Sequence, residues 1–156
     1  MEARITRFLK RHHVLTLSTC SEKGSWTAHC FYAYMSDHQA LVFTTDPETR
    51  HGREMKQTPR VSGGIMLETQ VIGKIRGIQF TGTALPVSNV TLAKAGAQAL
   101  REQDPAWAFQ ARTAYLRRFP FALAVKLDLW ILIIDYIKMT DNRLGFGKKL
   151  EWVKEG

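Results

Sequence analysis

Cysteine is scarce: Cys20 and Cys30 are the only two in 156 residues. Two thiols in a core-forming chain with no secretory leader read as reduced rather than as a disulfide framework. Long apolar runs are missing as well. The longest, Leu129 to Ile134, holds six residues, against the roughly 20 a membrane-spanning helix needs. The opening stretch MEARITRFLKRHH is charged throughout and lacks an apolar core followed by a small-residue cleavage site. These absences predict a cytoplasmic protein with no membrane partner. Acidic residues are outnumbered, 14 against 22 Lys and Arg, for a net charge of +8. The basic residues are spread from Arg4 to Lys154 without a long block. Nucleic acid is therefore a poorer reading of the charge than a phosphorylated cofactor or another small anion.

What the chain does contain fits one globular domain over residues 1–156, with 45% hydrophobic and 23% charged residues. Glu2 to Arg11 reads as an amphipathic helix with Ile5, Phe8 and Leu9 on one face. Val14 to Thr19, Trp26 to Met35 and Ala40 to Thr45 read as strands joined by short turns, which implies an antiparallel meander. A short helix over Thr49 to Gln57 follows, stopped by Pro59. Val61 to Leu67 and Lys74 to Val87 are further strands, the latter punctuated by Gly73, Gly77 and Gly82 at expected bulges or bends. One helix capped by Ser88 or Asn89 runs to about Gln103, and a second opens at Asp104-Pro105 and ends before Pro120. Leu129 to Thr140 is the strongest strand. Strict alternation puts Leu129, Ile131, Ile133, Ile137 and Met139 on one face and Trp130, Leu132, Ile134 and Tyr136 on the other. Two apolar faces call for a barrel core on one side and a helix or partner subunit on the other, and they motivate a homodimer. Leu150 to Val153 supplies a last short strand. The architecture expected is mainly β with helices, a small barrel.

Thr44-Thr45 and Thr49-Arg50-His51 form the best candidate site. Hydroxyls end a strand, and the next helix opens with a hydroxyl followed by a guanidinium, the donor set a phosphate needs. The alternative is an ordinary strand end and a solvated, capped helix. Gly145-Phe146-Gly147-Lys148-Lys149 could bring backbone and a lysine to an anion, or simply form a hairpin closing the barrel. No phosphate loop is present, and no C-x-x-C or H-x-x-x-H spacing supports a metal site. Each cysteine falls within or at the end of an apolar strand, where burial would keep it inert.

The stretch WTAHCFYAYMSDHQALVFTTDPETRHGREMKQTPRVSGGI, followed by GIQFTGTALPV, resembles the pyridoxamine 5'-phosphate oxidase-like split-barrel proteins. RGIQFTGT, AYLRRFP and KMTDNRLGFGKKLEW resemble the enterobacterial YhbP-like (UPF0306) branch of that superfamily over nearly the whole chain. The resemblance implies a six-stranded antiparallel split β-barrel, a homodimer and a flavin mononucleotide (FMN) site at the dimer interface. It also implies that Gln79 approaches the flavin ring edge, although an exposed barrel glutamine would look the same. Two positions depart from the oxidase pattern. His29 and its neighbours stand where the oxidase has a phosphate-binding arginine, and His51 stands where a lysine is usual. Arg50 is then the main electrostatic contact expected for the phosphate, with Lys148 next. The function expected is FMN binding, with oxidoreductase activity using reduced nicotinamide. The rivals are a non-catalytic binder of flavin, haem or another planar ligand, and a basic nucleic-acid-binding protein.

Overall fold

Apolar residues spaced three and four apart dictate the first element, α1 (Ala3–Arg11), which buries Ile5, Phe8 and Leu9. The structure, a computed structural model, describes residues 1–87, 106–124 and 126–155. No side chain caps the start of α1. Its end is held instead by Arg118, which donates to the carbonyls of Lys10, Arg11 and His12 at 2.9, 3.4 and 2.6 Å. These are carbonyls a helix terminus leaves unpaired, and a cation is the charge the helix dipole favours there.

β1 (Val14–Ser21), β2 (Gly24–Met35) and β3 (Ala40–Thr44) form the expected antiparallel meander. Gly24 turns the first hairpin at a φ of 91°, a conformation that side chains resist. After α2 (Arg50–Gln57), β4 (Arg60–Met66) pairs with the free edge of β1, and β5 (Arg76–Pro86) pairs with β4. β6 (Leu129–Asp141) runs along β5 and joins β3 over its first half, closing the barrel. Six strands therefore close on themselves. β7 (Lys149–Val153) pairs with the second half of β6 and makes the sheet seven-stranded rather than six. The helix expected to open at Asp104-Pro105 is α3 (Ala106–Arg118). The helix expected from Ser88 or Asn89 lies outside the described residues.

The alternation along β6 differs from the strict pattern. Trp130, Leu132 and Ile134 face the barrel core, but so do Ile137 and Met139. Asp135 is the reason. It is an extra residue between the Gly82–Ile134 and Thr81–Tyr136 pairs, a β-bulge that sends every later side chain to the opposite face. Tyr136 consequently lies outside, not beside Ile134. Arg60 and Thr81 hold the Asp135 carboxylate. Gly82 borders the bulge because a Cβ there would meet the Ile133 carbonyl oxygen at 2.3 Å.

α1 plugs the barrel interior, where Leu15, Leu17, Tyr32, Phe43, Phe80 and Trp130 pack. The outward side of the first half of β6 is covered by the same chain: Leu129, Ile131 and Ile133 pack with Val42 and with Ala111 and Tyr115 of α3. Each such isoleucine contributes about 1.5–3 kcal/mol. A helix, not a second subunit, therefore satisfies the two apolar faces of Leu129 to Ile134. Both cysteines are free thiols. Cys30 is buried, and burial raises its thiol to about 11. Cys20 is exposed rather than buried, because it sits near the end of β1 opposite Ser25 with its side chain outward. Among the described residues no helix is long and apolar enough to cross a membrane.

Candidate functional site

Two surfaces of the barrel carry most of the residues expected at a site. The first is the start of α2. Thr49 is its N-cap: Oγ1 accepts from the Gly52 N–H at 3.1 Å and donates to the Asp46 carbonyl at 2.7 Å. Thr45 joins it, with Oγ1 2.5 Å from Nε2 of His51, while Thr49 Oγ1 is 3.3 Å from the same nitrogen. Burial lowers the His51 pKa, although the Glu54 carboxylate pulls the other way, so the ring is neutral at neutral pH. Thr44 stands apart from this group. Its hydroxyl donates to the Asp128 carbonyl at 3.1 Å and fastens the end of β3 to the segment entering β6.

Arg50 follows Thr49 in sequence but points elsewhere, since successive helical residues are about 100° apart. Its Nε donates to Glu54 Oε1 at 2.9 Å, and its guanidinium carbon lies 4.6 Å from the Trp26 ring centroid. Glu54 is buried and also accepts from Thr19 Oγ1 at 2.5 Å and Ser21 Oγ at 3.0 Å. The Thr19 and Arg50 hydrogen bonds hold its carboxyl down at about 2 in spite of burial. Beside this network lies a cleft of about 550 Å³ lined by Lys23, Arg50 and Arg53. Sequence reasoning missed Glu54 and Trp26. The four-residue spacing from Arg50 to Glu54 was a usable signal. The contacts to Thr19 and Ser21, 35 and 33 residues away, left none.

The second surface is the outer face of β1, β4 and β5. His29 pairs across the ladder with Thr16, Thr16 with Gly64, and Gly64 with Gln79. His29 and Gln79 therefore end one row across four strands, roughly 14 Å apart by strand spacing. Thr16 Oγ1 is 3.1 Å from His29 Nδ1. Beside the row is a recess of about 460 Å³ lined by Thr16, Ser18, Ser62, Gly64, Gln79 and Tyr136 among others. Its floor depends on Gly63, where a Cβ would meet the Thr16 carbonyl oxygen at 2.2 Å.

Lys148 belongs to neither surface. It is exposed in the turn after β6, where its carbonyl accepts from the Asp141 N–H at 3.1 Å. Thr44 pairs with Leu129 at the other end of that strand, on the order of 40 Å of extended chain away. The structure thus brings Thr45, Thr49 and His51 together, aligns His29 with Gln79, and leaves Thr44, Arg50 and Lys148 each in different surroundings.

The chain matches the family described as pyridoxamine 5'-phosphate oxidase over residues 1–127. A UPF0306 protein from Photorhabdus laumondii is 42% identical over 148 residues, covering 95% of this chain and 92% of the relative. Among solved structures, a haem-binding protein from Mycobacterium smegmatis aligns with a TM-score of 0.68 at 18% identity, covering 98% of this chain and 59% of that one. A FAD-binding protein from Mesorhizobium loti aligns with a TM-score of 0.63 at 14% identity, covering 89% and 92%. At such identities the structural likeness speaks for the fold alone. Family match and close relative point the same way as the barrel: this chain is a split-barrel protein of the pyridoxamine 5'-phosphate oxidase family and, within it, of the UPF0306 (YhbP-like) group.

Proposed function

We propose that the chain works as a cytoplasmic homodimer that binds FMN and passes electrons from reduced nicotinamide to an acceptor. The row His29–Thr16–Gly64–Gln79 carries this reading. It is polar, and one of its inner positions has no side chain, so a planar ring can approach the sheet backbone. Gln79 is exposed, and its amide can donate and accept at a ring edge. Thr16 and Ser18 are two residues apart on β1, so they share the open face and both line the recess; their hydroxyls suit a ribityl chain. Further along, at the β1–β2 hairpin, Lys23, Arg50 and Arg53 offer charge to a phosphate, in a cleft that Glu22 and Glu54 also line. A bound flavin would supply the hydride chemistry, and the chain's part is to hold and orient it and to exclude water. The open face also shows Met66 at 74% and Val153 at 63% exposure, apolar surface that a second copy would cover.

A second reading, a non-catalytic binder of haem or another planar ligand, is favoured by His29. Its Nδ1 is oriented by Thr16 while Nε2 has no hydrogen-bond partner among the described residues, an arrangement that suits an imidazole acting as a metal ligand. The Mycobacterium smegmatis protein of like fold binds haem.

Titration with FMN, riboflavin and haem, followed by flavin fluorescence and the Soret band, separates the two. Turnover of reduced nicotinamide then distinguishes enzyme from binder. Arg50→Ala is expected to weaken FMN about ten- to a hundredfold and riboflavin far less, since only FMN carries the phosphate. Equal losses would assign Arg50 to the Glu54–Trp26 network instead. A Soret change abolished by His29→Ala, with no flavin quenching, would replace flavin by haem.

A further inference from the structure

α1 closes one end of the barrel with its apolar side and turns arginines to the other. Arg4, Arg7 and Arg11 recur at spacings of three and four, so they share one stripe. With Arg76 at the start of β5 and Arg143 after β6 they line a recess of about 260 Å³, with Phe8 and Met139 as its apolar walls. Five guanidinium groups around so small a space repel one another unless carboxylates intervene. Few do. Asp141 faces Arg76 across the ladder and is fully buried, but both of its oxygens are taken by Arg143, at 2.9 Å from Nε and 2.6 Å from Nη2. Glu2 stands 3.9 Å from Arg4. Among the described residues no carboxylate lies within salt-bridge distance of Arg7, Arg11 or Arg76.

The deepest group is also the least satisfied. Arg76 Nε is buried with no hydrogen-bond partner, and so is Nε2 of the neighbouring His12. Burial, with the charges of Arg11 and Arg76, keeps His12 below its ordinary pKa, a sign of unbalanced positive potential around this end of the barrel. An unpaired buried N–H is costly and uncommon. A ligand that supplies acceptor oxygens to several guanidinium forks would both pair Arg76 and relieve the repulsion.

We propose that this arginine-lined recess is an anion site, separate from the flavin site, that takes a compact oxyanion of two or more negative charges, of the phosphate or diphosphate class. Charge selects the anion. The small volume and the inward Arg76 select a compact group over an extended backbone, because a polymer lying along the exposed α1 stripe would leave the buried Nε unpaired.

The test is calorimetric titration of the whole chain with inorganic diphosphate at fixed ionic strength. Saturable binding of one ion per chain is expected. Arg7→Gln with Arg11→Gln, two exposed side chains, should weaken it by about tenfold or more and leave FMN titration unchanged. Arg7→Lys with Arg11→Lys keeps the charge and provides a folded comparison that should bind with intermediate affinity. Absence of saturation, or an unchanged isotherm in the glutamine pair, overturns the site. Tighter binding of a single-stranded oligonucleotide that depends on the same two arginines would also overturn it, by making the recess part of a nucleic-acid surface.

Discussion

β6 contributes to two outer faces of one barrel. Before Asp135 it presents Leu129, Ile131 and Ile133, and α3 lies over them with Ala111 and Tyr115. After Asp135 it presents Tyr136 and Lys138, opposite Thr81 and Gln79, beside the open recess with Ser62. Composition changes from Leu-Trp-Ile-Leu-Ile-Ile to Tyr-Ile-Lys-Met-Thr, and one inserted residue between the two stretches sets which side chains face outward. The bulge lets a single strand keep its core side continuous, with Trp130, Leu132, Ile134, Ile137 and Met139 all inward, while its outer side changes from apolar and covered to polar and open.

The comparison breaks most severely when the core side that the bulge keeps continuous receives a charge. Deleting Asp135 alone does not do so, because Tyr136 then follows Ile134 directly and strict alternation keeps Ile137 and Met139 inward. Ile137→Lys does, since Ile137 is fully buried. A lysine driven inward without a partner is costly, so we expect no cooperative thermal transition by circular dichroism. An Ile137→Lys variant that melts like the wild type would mean that the strand after Asp135 does not face the core.

The next effect is confined to the covered face. Ile131 is 1% exposed, and Ile131→Ala should cost about 2–5 kcal/mol in urea unfolding. On the open face Thr16→Ala should stay near 0.5 kcal/mol or below, the usual range for surface changes. Similar losses at both positions would show that α3 rests on the barrel without packing into it.

The sequence made the meander, the barrel class and both short helices legible because their signals are local: spacings of three and four in α1, turn residues at Gly24, and Thr49 as a cap. Gly82 flagged a bulge as well. Its effect on β6 was hidden, because Leu-Trp-Ile-Leu-Ile-Ile is apolar at both parities and carries no phase information until Asp135. The candidate site was less legible for a related reason. Thr49, Arg50 and His51 are consecutive, and adjacency in sequence suggested one phosphate cluster. Helical geometry sends Arg50 to Glu54 and Trp26 and leaves His51 with Thr45. Glu54 was passed over because a carboxylate in a polar helix looks solvated until Thr19 and Ser21 arrive from a distant strand.

That network adds a pH dependence of its own, smaller than the core effects. The Glu54 carboxyl titrates at about 2 in the folded chain, against an ordinary 4.5. A depressed folded pKa means that the charged form stabilises the fold above the unfolded value, and that this contribution fades as pH falls from 4.5 toward 2. Urea midpoints of wild type and Glu54→Gln should therefore differ at neutral pH and converge through that acid window. A gap independent of pH would assign the loss to shape or amide geometry rather than to the carboxylate.

The smallest effect on stability should accompany the clearest effect on assembly. Ser62 is an exposed residue lining the recess on the open face. A surface serine replaced by arginine usually shifts stability by no more than about 0.5 kcal/mol. If a second copy covers this face, however, Ser62→Arg puts a bulky charge into the contact, and a buried charge without a partner is strongly unfavourable. Light scattering should then fall from twice the chain mass of 17.8 kDa to the single-chain value, with the melting curve taken at high dilution nearly unchanged. The matching substitution on the other face, Ala111→Arg in α3, should do the reverse and unfold the chain, because Ala111 is fully buried against β6. A wild type that is monomeric at micromolar concentration would remove the partner from the open face. It would leave the His29–Gln79 row as a site formed by one chain, shaped by Gly63 and Gly64 rather than by an interface.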